Sequence, residues 1–87
     1  MASGTLKQRI YDVLKSQRFQ DPTDLVDVSD GPEDSVHLVV VSRKFDGQRT
    51  QERDDMVWSL LTTALSQDDW NKVSLLVGAS PEDIKAI

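Results

Sequence analysis

The sequence predicts a single small α+β domain of element order α-β-β-α-β-α, with a three-stranded mixed sheet and helices packed on it. Three observations carry that prediction. Val36-His37-Leu38-Val39-Val40-Val41 is a β-branched run that reads as a central strand. Met56, Val57, Leu60, Leu61, Ala64 and Leu65 recur at the i, i+4 spacing that lays a wide apolar stripe along a helix. A further strand over residues 73–77 follows, so strand, helix and strand form a crossover unit, with parallel strands and a right-handed connection.

The elements follow in chain order. Thr5 with Gln8 three residues on forms a capping box for a first helix, in which Leu6, Ile10, Val13 and Leu14 repeat at helical spacing. Lys15 and Arg18 suit its C-terminus, and Gln20-Asp21-Pro22 ends it. Residues 25–29 form a short strand with Val26 and Val28 on one face and Asp27 on the other, the pattern of an edge. Asp30-Gly31-Pro32-Glu33-Asp34 is a turn, with glycine permitting positive φ, which makes the first two strands an antiparallel hairpin. The central strand is apolar on both alternating faces, as expected of a strand internal to the sheet or covered on both sides. Thr50 is the expected N-cap of the long helix and Glu52 favours its first turn. Ser66 caps a short turn before the third strand, which ends at Gly78. Ser80-Pro81-Glu82-Asp83 is a helix start: serine cap, proline first, acid in the first turn. Ile84 and Ile87 are expected to anchor this last helix.

Composition bounds the function. The 87 residues suit one modest core, and 38% are hydrophobic. No run approaches the ~18 apolar residues of a membrane span. The N-terminus MASGTLKQR has no apolar h-region, so no secretory signal is expected. There is no cysteine, which excludes disulfides and thiolate ligands and fits a reducing, cytoplasmic setting. The net charge is −5, and residues 21–34 hold six acids and no base. An acidic chain repels a polyanion at long range, which counts against nucleic acid. Local bases remain at Lys7, Arg9, Lys15 and Arg18, and at Arg43, Lys44, Arg49 and Arg53.

Catalytic chemistry finds little support. There is one histidine, no G-x-S-x-G elbow, no G-x-G-x-x-G and no P-loop. Asp54-Asp55 and Asp68-Asp69 are adjacent on helices and point about 100° apart, so neither pair converges for acid/base work. His37 has no ligand cluster at metal spacing, and a strand histidine partly covered by a helix is the plainer reading. Trp58 lies off the apolar stripe. It reads equally as a partner contact and as packing against the loop or the C-terminal helix, whereas Trp70 reads as a core plug. In the loop 43–49, Phe45 folds inward and Gly47 supplies a positive φ, while Arg49 and Arg53 stay open as anion-facing groups.

These residues also carry a resemblance. Val39-Val40-Val41-Ser42, then Phe45-x-Gly47, then Arg53, then a helix and a strand resemble the BolA family, with its strand ending in V-S, its F-x-G loop, its R-H pair and its tyrosine-bearing helix. Trp58 falls where the family's tyrosine stands, and Ser80-Pro81-Glu82-Asp83 resembles the segment before the family's last helix. The likeness spans nearly the whole chain, with a sharp motif of about a dozen residues. It implies one domain over 1–87 with a class II KH-like fold and a non-enzymatic role. Its implied partner is a monothiol glutaredoxin that shares a 2Fe–2S cluster in iron–sulfur regulation. Arg43, Lys44, Arg49, Arg53 and Trp58 are then the candidate partner-binding residues, with Phe45 and Gly47 as the structural motif. Asp54 replaces the family's histidine ligand, and the hairpin turn offers only Asp30, Glu33 and Asp34, so no metal ligand carries over and conventional cluster ligation is not expected. The alternative is a nucleic-acid-binding or transcriptional regulatory module of KH-like architecture, resting on Arg43, Lys44, Arg49 and Arg53; the G-x-x-G clamp loop of a KH domain is missing.

Overall fold

A computed structural model of the chain describes residues 4–85, with side chains through residue 83. Helix α1 spans Gly4–Gln17 and buries Leu6, Ile10 and Leu14, one per turn, on a single face. Thr5 therefore lies inside the first turn instead of capping it. The helix closes where the amides of Arg18 and Phe19 both donate to Leu14 O, at 3.2 and 2.9 Å, and Phe19 drops into the core.

Strand β1, Leu25–Asp30, pairs antiparallel with β2, Val36–Val41, in a register running from Leu25↔Val41 to Asp30↔Val36. In the turn between them Gly31 N donates to Ser35 O at 2.9 Å. The positive φ falls on Glu33 (56°) and not on the glycine. Gly31 serves by being bare: a Cβ there would stand 2.7 Å from His37 Cδ2.

A 3-10 turn, Arg43–Phe45, leads into helix α2, Thr50–Ala64, and the four-residue helix α3, Gln67–Trp70. Strand β3, Val73–Ala79, runs parallel to β2 in the sheet order β1-β2-β3. A bulge at Ser74 separates the Val36↔Val73 pair from His37↔Leu75. Helix α4, Pro81–Lys85, closes the described chain. The side chain of Ile84 and all of Ile87, the expected anchors of this helix, lie outside the described residues. The architecture is the α+β order read from the sequence, with a three-stranded mixed sheet.

The pleat sorts the strands. Val26, Val36, Leu38, Val40 and Val73 point into a core shared with Leu6, Ile10 and Leu14 of α1 and Val57 and Leu61 of α2. Each buried Leu, Ile or Val here contributes about 1.5–3 kcal/mol of transfer free energy. The opposite face carries Leu25, Asp27 and Ser29 on β1, His37, Val39 and Val41 on β2, and Leu75, Val77 and Ala79 on β3. Leu25, Leu75 and Val77 remain exposed. Among the described residues the central strand is thus internal to the sheet but covered on one face only. His37 lies on the open face against the turn, under none of the described helices. No helix among the described residues is long and apolar enough to cross a membrane.

Candidate functional site

The loop 42–49 joins the C-terminal end of β2 to α2, and buried contacts fix it at both ends. At its start Ser42, fully buried, accepts from Lys44 N (3.1 Å) and donates its hydroxyl to Asp24 Oδ1 (2.7 Å). Asp24 is the hub of this corner. Its side chain is 2% exposed and its second oxygen accepts from Lys44 Nζ (3.1 Å) and Asp21 N (3.3 Å). A buried carboxylate needs such donors, since an unpaired one is costly. Lys44 Nζ also stands 5.8 Å from the centre of the Phe19 ring. Phe45 follows, fully buried, its ring 5.6 Å from that of Phe19. Gly47 then turns the chain at φ 76°, where a side chain is strained although nothing lies within 4 Å to clash with one.

Helix α2 starts one residue earlier than the sequence suggests. Arg49 is the N-cap, and Glu52 Oε1 accepts from Arg49 N (3.2 Å). An arginine offers no acceptor to the helix amides, so the carboxylate half of a capping box acts here by itself. Thr50 becomes the first helical residue. The Arg49 side chain is 90% exposed, with its Nε 3.8 Å from Glu52 Oε1.

One turn on, Arg53 points inward. Its side chain is only 11% exposed. Nε donates to Gln48 O (3.0 Å), and Nη1 donates to Gly78 O (3.2 Å) and to the Asp83 carboxylate. The guanidinium stands 6.0 Å from the centre of the Phe45 ring. One side chain thereby joins the loop, α2, the end of β3 and α4. Gly78 makes this approach possible: a Cβ there would meet Arg53 Cβ at 3.1 Å and Phe45 Cε2 at 3.3 Å. Asp83 also accepts from Ser80 N (3.1 Å) while Ser80 Oγ accepts from Asp83 N (3.2 Å), a reciprocal cap for α4. The Arg53 hydrogen bond, followed by the Ser80 amide, holds the Asp83 carboxyl below the ordinary aspartate value. Asp21 is likewise lowered, first by the Thr23 amide and then by its hydroxyl.

The structure therefore divides the candidate residues. Arg43 and Arg49 stand exposed on the loop, Arg43 donating weakly to Thr23 Oγ1 (3.3 Å). Lys44 is tethered to Asp24 and Arg53 is turned inward. Trp58 is elsewhere, partly buried on α2, its ring 6.2 Å from Trp70 in an edge-to-face pair. Its ring thus packs on α3. Asp24, Gly78 and Asp83 escaped the sequence reading as site residues. The one available signal was Ser80-x-x-Asp83, a capping-box pattern that places Asp83 but does not reveal its bond to Arg53.

A shared iron–sulfur cluster does not fit these residues. Asp54 presents a carboxylate whose Oδ1 is buried without a hydrogen-bond partner, as is Gln48 Oε1. His37, the only imidazole, lies on the far side of the sheet from α2. Among the described residues no three His, Cys, Asp or Glu side chains come together as a ligand set. A depression of about 590 Å³ runs along α1, past Gln8, Arg9, Asp12 and Val13, and no loop residue lines it. Set against known proteins, the chain matches no family model. No curated protein matches it either.

Proposed function

We propose that the chain is a BolA-like, non-enzymatic interaction module that engages a protein partner through the 43–49 loop and the first turn of α2, without itself ligating metal. The observation that supports this reading most directly is the split between Arg53 and Arg49. Arg53 is spent inside, fixing the loop against β3 and α4, while Arg49 is 90% exposed on the backbone that Arg53 fixes. Exposed arginine heads on a preorganised backbone favour protein interfaces, because little ordering entropy is lost on binding. The nucleic-acid alternative loses two of its four cations, since Lys44 and Arg53 are engaged within the fold.

The resemblance makes a monothiol glutaredoxin the partner to test, in regulation linked to iron–sulfur status. The experiment is titration of the purified chain into an apo monothiol glutaredoxin, followed by calorimetry and amide chemical shifts. The expected result is a 1:1 complex that shifts residues 43–53 and weakens about tenfold or more in Arg49→Glu. No complex at high micromolar concentration, or one that shifts a different surface, overturns the proposal.

A further inference from the structure

The nine outward positions of the sheet form a grid three strands wide. Its rows, set by the register, are Leu25-Val41-Ala79, Asp27-Val39-Val77 and Ser29-His37-Leu75. Six positions are apolar, and Leu25, Leu75 and Val77 keep 55%, 45% and 40% of their surface exposed. Contiguous exposed apolar area on a monomer marks an interaction surface. Neither Asp27 nor His37 has an ion pair or side-chain hydrogen bond among the described residues.

The grid is symmetric in chemistry about the diagonal Ser29-Val39-Ala79. Exchange across that diagonal swaps Leu25 with Leu75, Val41 with Val77, and Asp27 with His37. Every apolar group exchanges with an apolar group, and the one acid exchanges with the one imidazole. Such a pattern is self-complementary, the condition a two-fold interface imposes.

We propose that the open face of the sheet is a self-association surface. Two copies pack face to face with their strands steeply crossed, about a two-fold axis lying in the interface through Val39 from the Ser29 corner towards the Ala79 corner. Asp27 of each copy then meets the partner subunit's His37, and Leu25 meets the partner subunit's Leu75. Steep crossing is one of the two standard ways in which sheets stack. With strands ~4.8 Å apart, like-facing residues ~6.8 Å apart and the two sets of strands crossed at about 90°, matched positions fall within about 2–3 Å of one another in projection, inside side-chain reach. The other three axes of the grid are worse. An axis along the strands sets Asp27 on Val77, an axis across them sets Asp27 on its own copy, and the other diagonal sets Asp27 on Val41. Each leaves a carboxylate in the interface without a counterpart. The crossed arrangement also keeps the two 30–34 turns, rich in acid, from stacking on one another. The face spans on the order of 300 Å² in projection, well short of the ~800 Å² per partner of a standard interface, so the dimer is weak, dissociating at roughly 10 µM to 1 mM.

Sedimentation equilibrium of the full chain, from about 10 µM to 1 mM at neutral pH, tests this. The mass should climb from 9.8 kDa towards twice that value. Val77→Asp, and Leu25→Asp should the first variant fail to fold by circular dichroism, should weaken association about tenfold or more. Asp27→Lys should weaken it severalfold, and the double variant Asp27→Lys/His37→Asp should restore it to within about threefold of the parent. Asp27→Asn reads the same contact without touching the turn that packs on His37. A mass of 9.8 kDa throughout, a dimer indifferent to the apolar variants, or a dimer indifferent to both Asp27 variants and to the double swap overturns the proposal.

Discussion

Arg53 and Asp83 are joined across the end of the sheet, 30 positions apart in sequence, so that the second helix and the last helix share one ion pair over Gly78. The same Nη1 that meets Asp83 also donates to the Gly78 carbonyl. Removing the guanidinium leaves the Gln48 and Gly78 carbonyls, both in partly buried surroundings, without their donor. Arg53→Ala is expected to cost about 2–3 kcal/mol, read as a lower urea midpoint with an unchanged m-value. Arg53→Lys should recover only part of this, because an ammonium cannot reproduce the fork.

The Asp83 pair also sets an acid dependence. Its carboxyl, like that of Asp21, is held below the ordinary value of 3.8 in the fold. The unfolded chain therefore binds more protons as the pH drops through this range. Both groups stabilise the fold fully above the ordinary aspartate value, and that contribution is lost as pH falls through their lower folded values. Thermal midpoints between pH 6 and pH 2.5 should fall steadily at the acid end. Asp83→Asn should be less stable at pH 6 and show a flatter fall.

Gly78→Ala probes how closely the loop sits on β3. The added methyl meets Arg53 Cβ at 3.1 Å and the Phe45 ring edge at 3.3 Å, and neither neighbour is the free end of a flexible chain. The expected cost is about 1–3 kcal/mol. Phe45→Ala should cost about 3–5 kcal/mol, since its ring is fully buried against Phe19. If the two share one contact, Gly78→Ala should cost less in the Phe45→Ala background, and a double-mutant cycle by chemical denaturation checks this.

Asp24→Ala should destabilise by about 2–3 kcal/mol. It strands the fully buried Ser42 hydroxyl and releases Lys44 from the loop's first turn. Asp24→Asn keeps an acceptor for Ser42 and should lose about half as much. Equilibrium unfolding measures both, and the amide shifts of residues 42–46 should report loosening of the loop in the alanine variant.

The strands and helices were legible because each has a local period. Val26 and Val28, Leu6 with Ile10 and Leu14, and Val57 with Leu61 announce their elements and their inward faces. Edge and centre were legible too, from Asp27 set against the unbroken Val36–Val41 run. What the chain hid was pairing at a distance. Asp24 reads as one acid in an acidic run until Ser42, 18 positions away, is folded onto it. Arg53 reads as a helix-start cation until Gly78 removes the side chain that would bar its way. Thr50 reads as the cap because threonine commonly serves, yet the Glu52 carboxylate takes the Arg49 amide and moves the boundary. Trp58 could not be placed without knowing that α3 brings Trp70 edge-on to it. The open outer face was hidden for a related reason: a strand apolar on both sides looks the same whether its second face is covered or bare.

The parallel pairing of β2 with β3 bears on the order in which the molecule assembles. Val36 meets Val73 across 37 positions of intervening chain, whereas the hairpin closes from Asp30 to Val36 over six. Loop-closure entropy asks about 3 kcal/mol for the first and about 1.6 kcal/mol for the second, before constants. The hairpin with α1 is the cheaper nucleus, and docking of β3 is the late event. In stopped-flow chevrons, Val26→Ala should therefore slow folding, while Val73→Ala should leave folding nearly unchanged and hasten unfolding. Until that last strand arrives, the free edge of β2 is a template for any other chain, so the crossover length sets the time during which the nascent domain is vulnerable to mispairing.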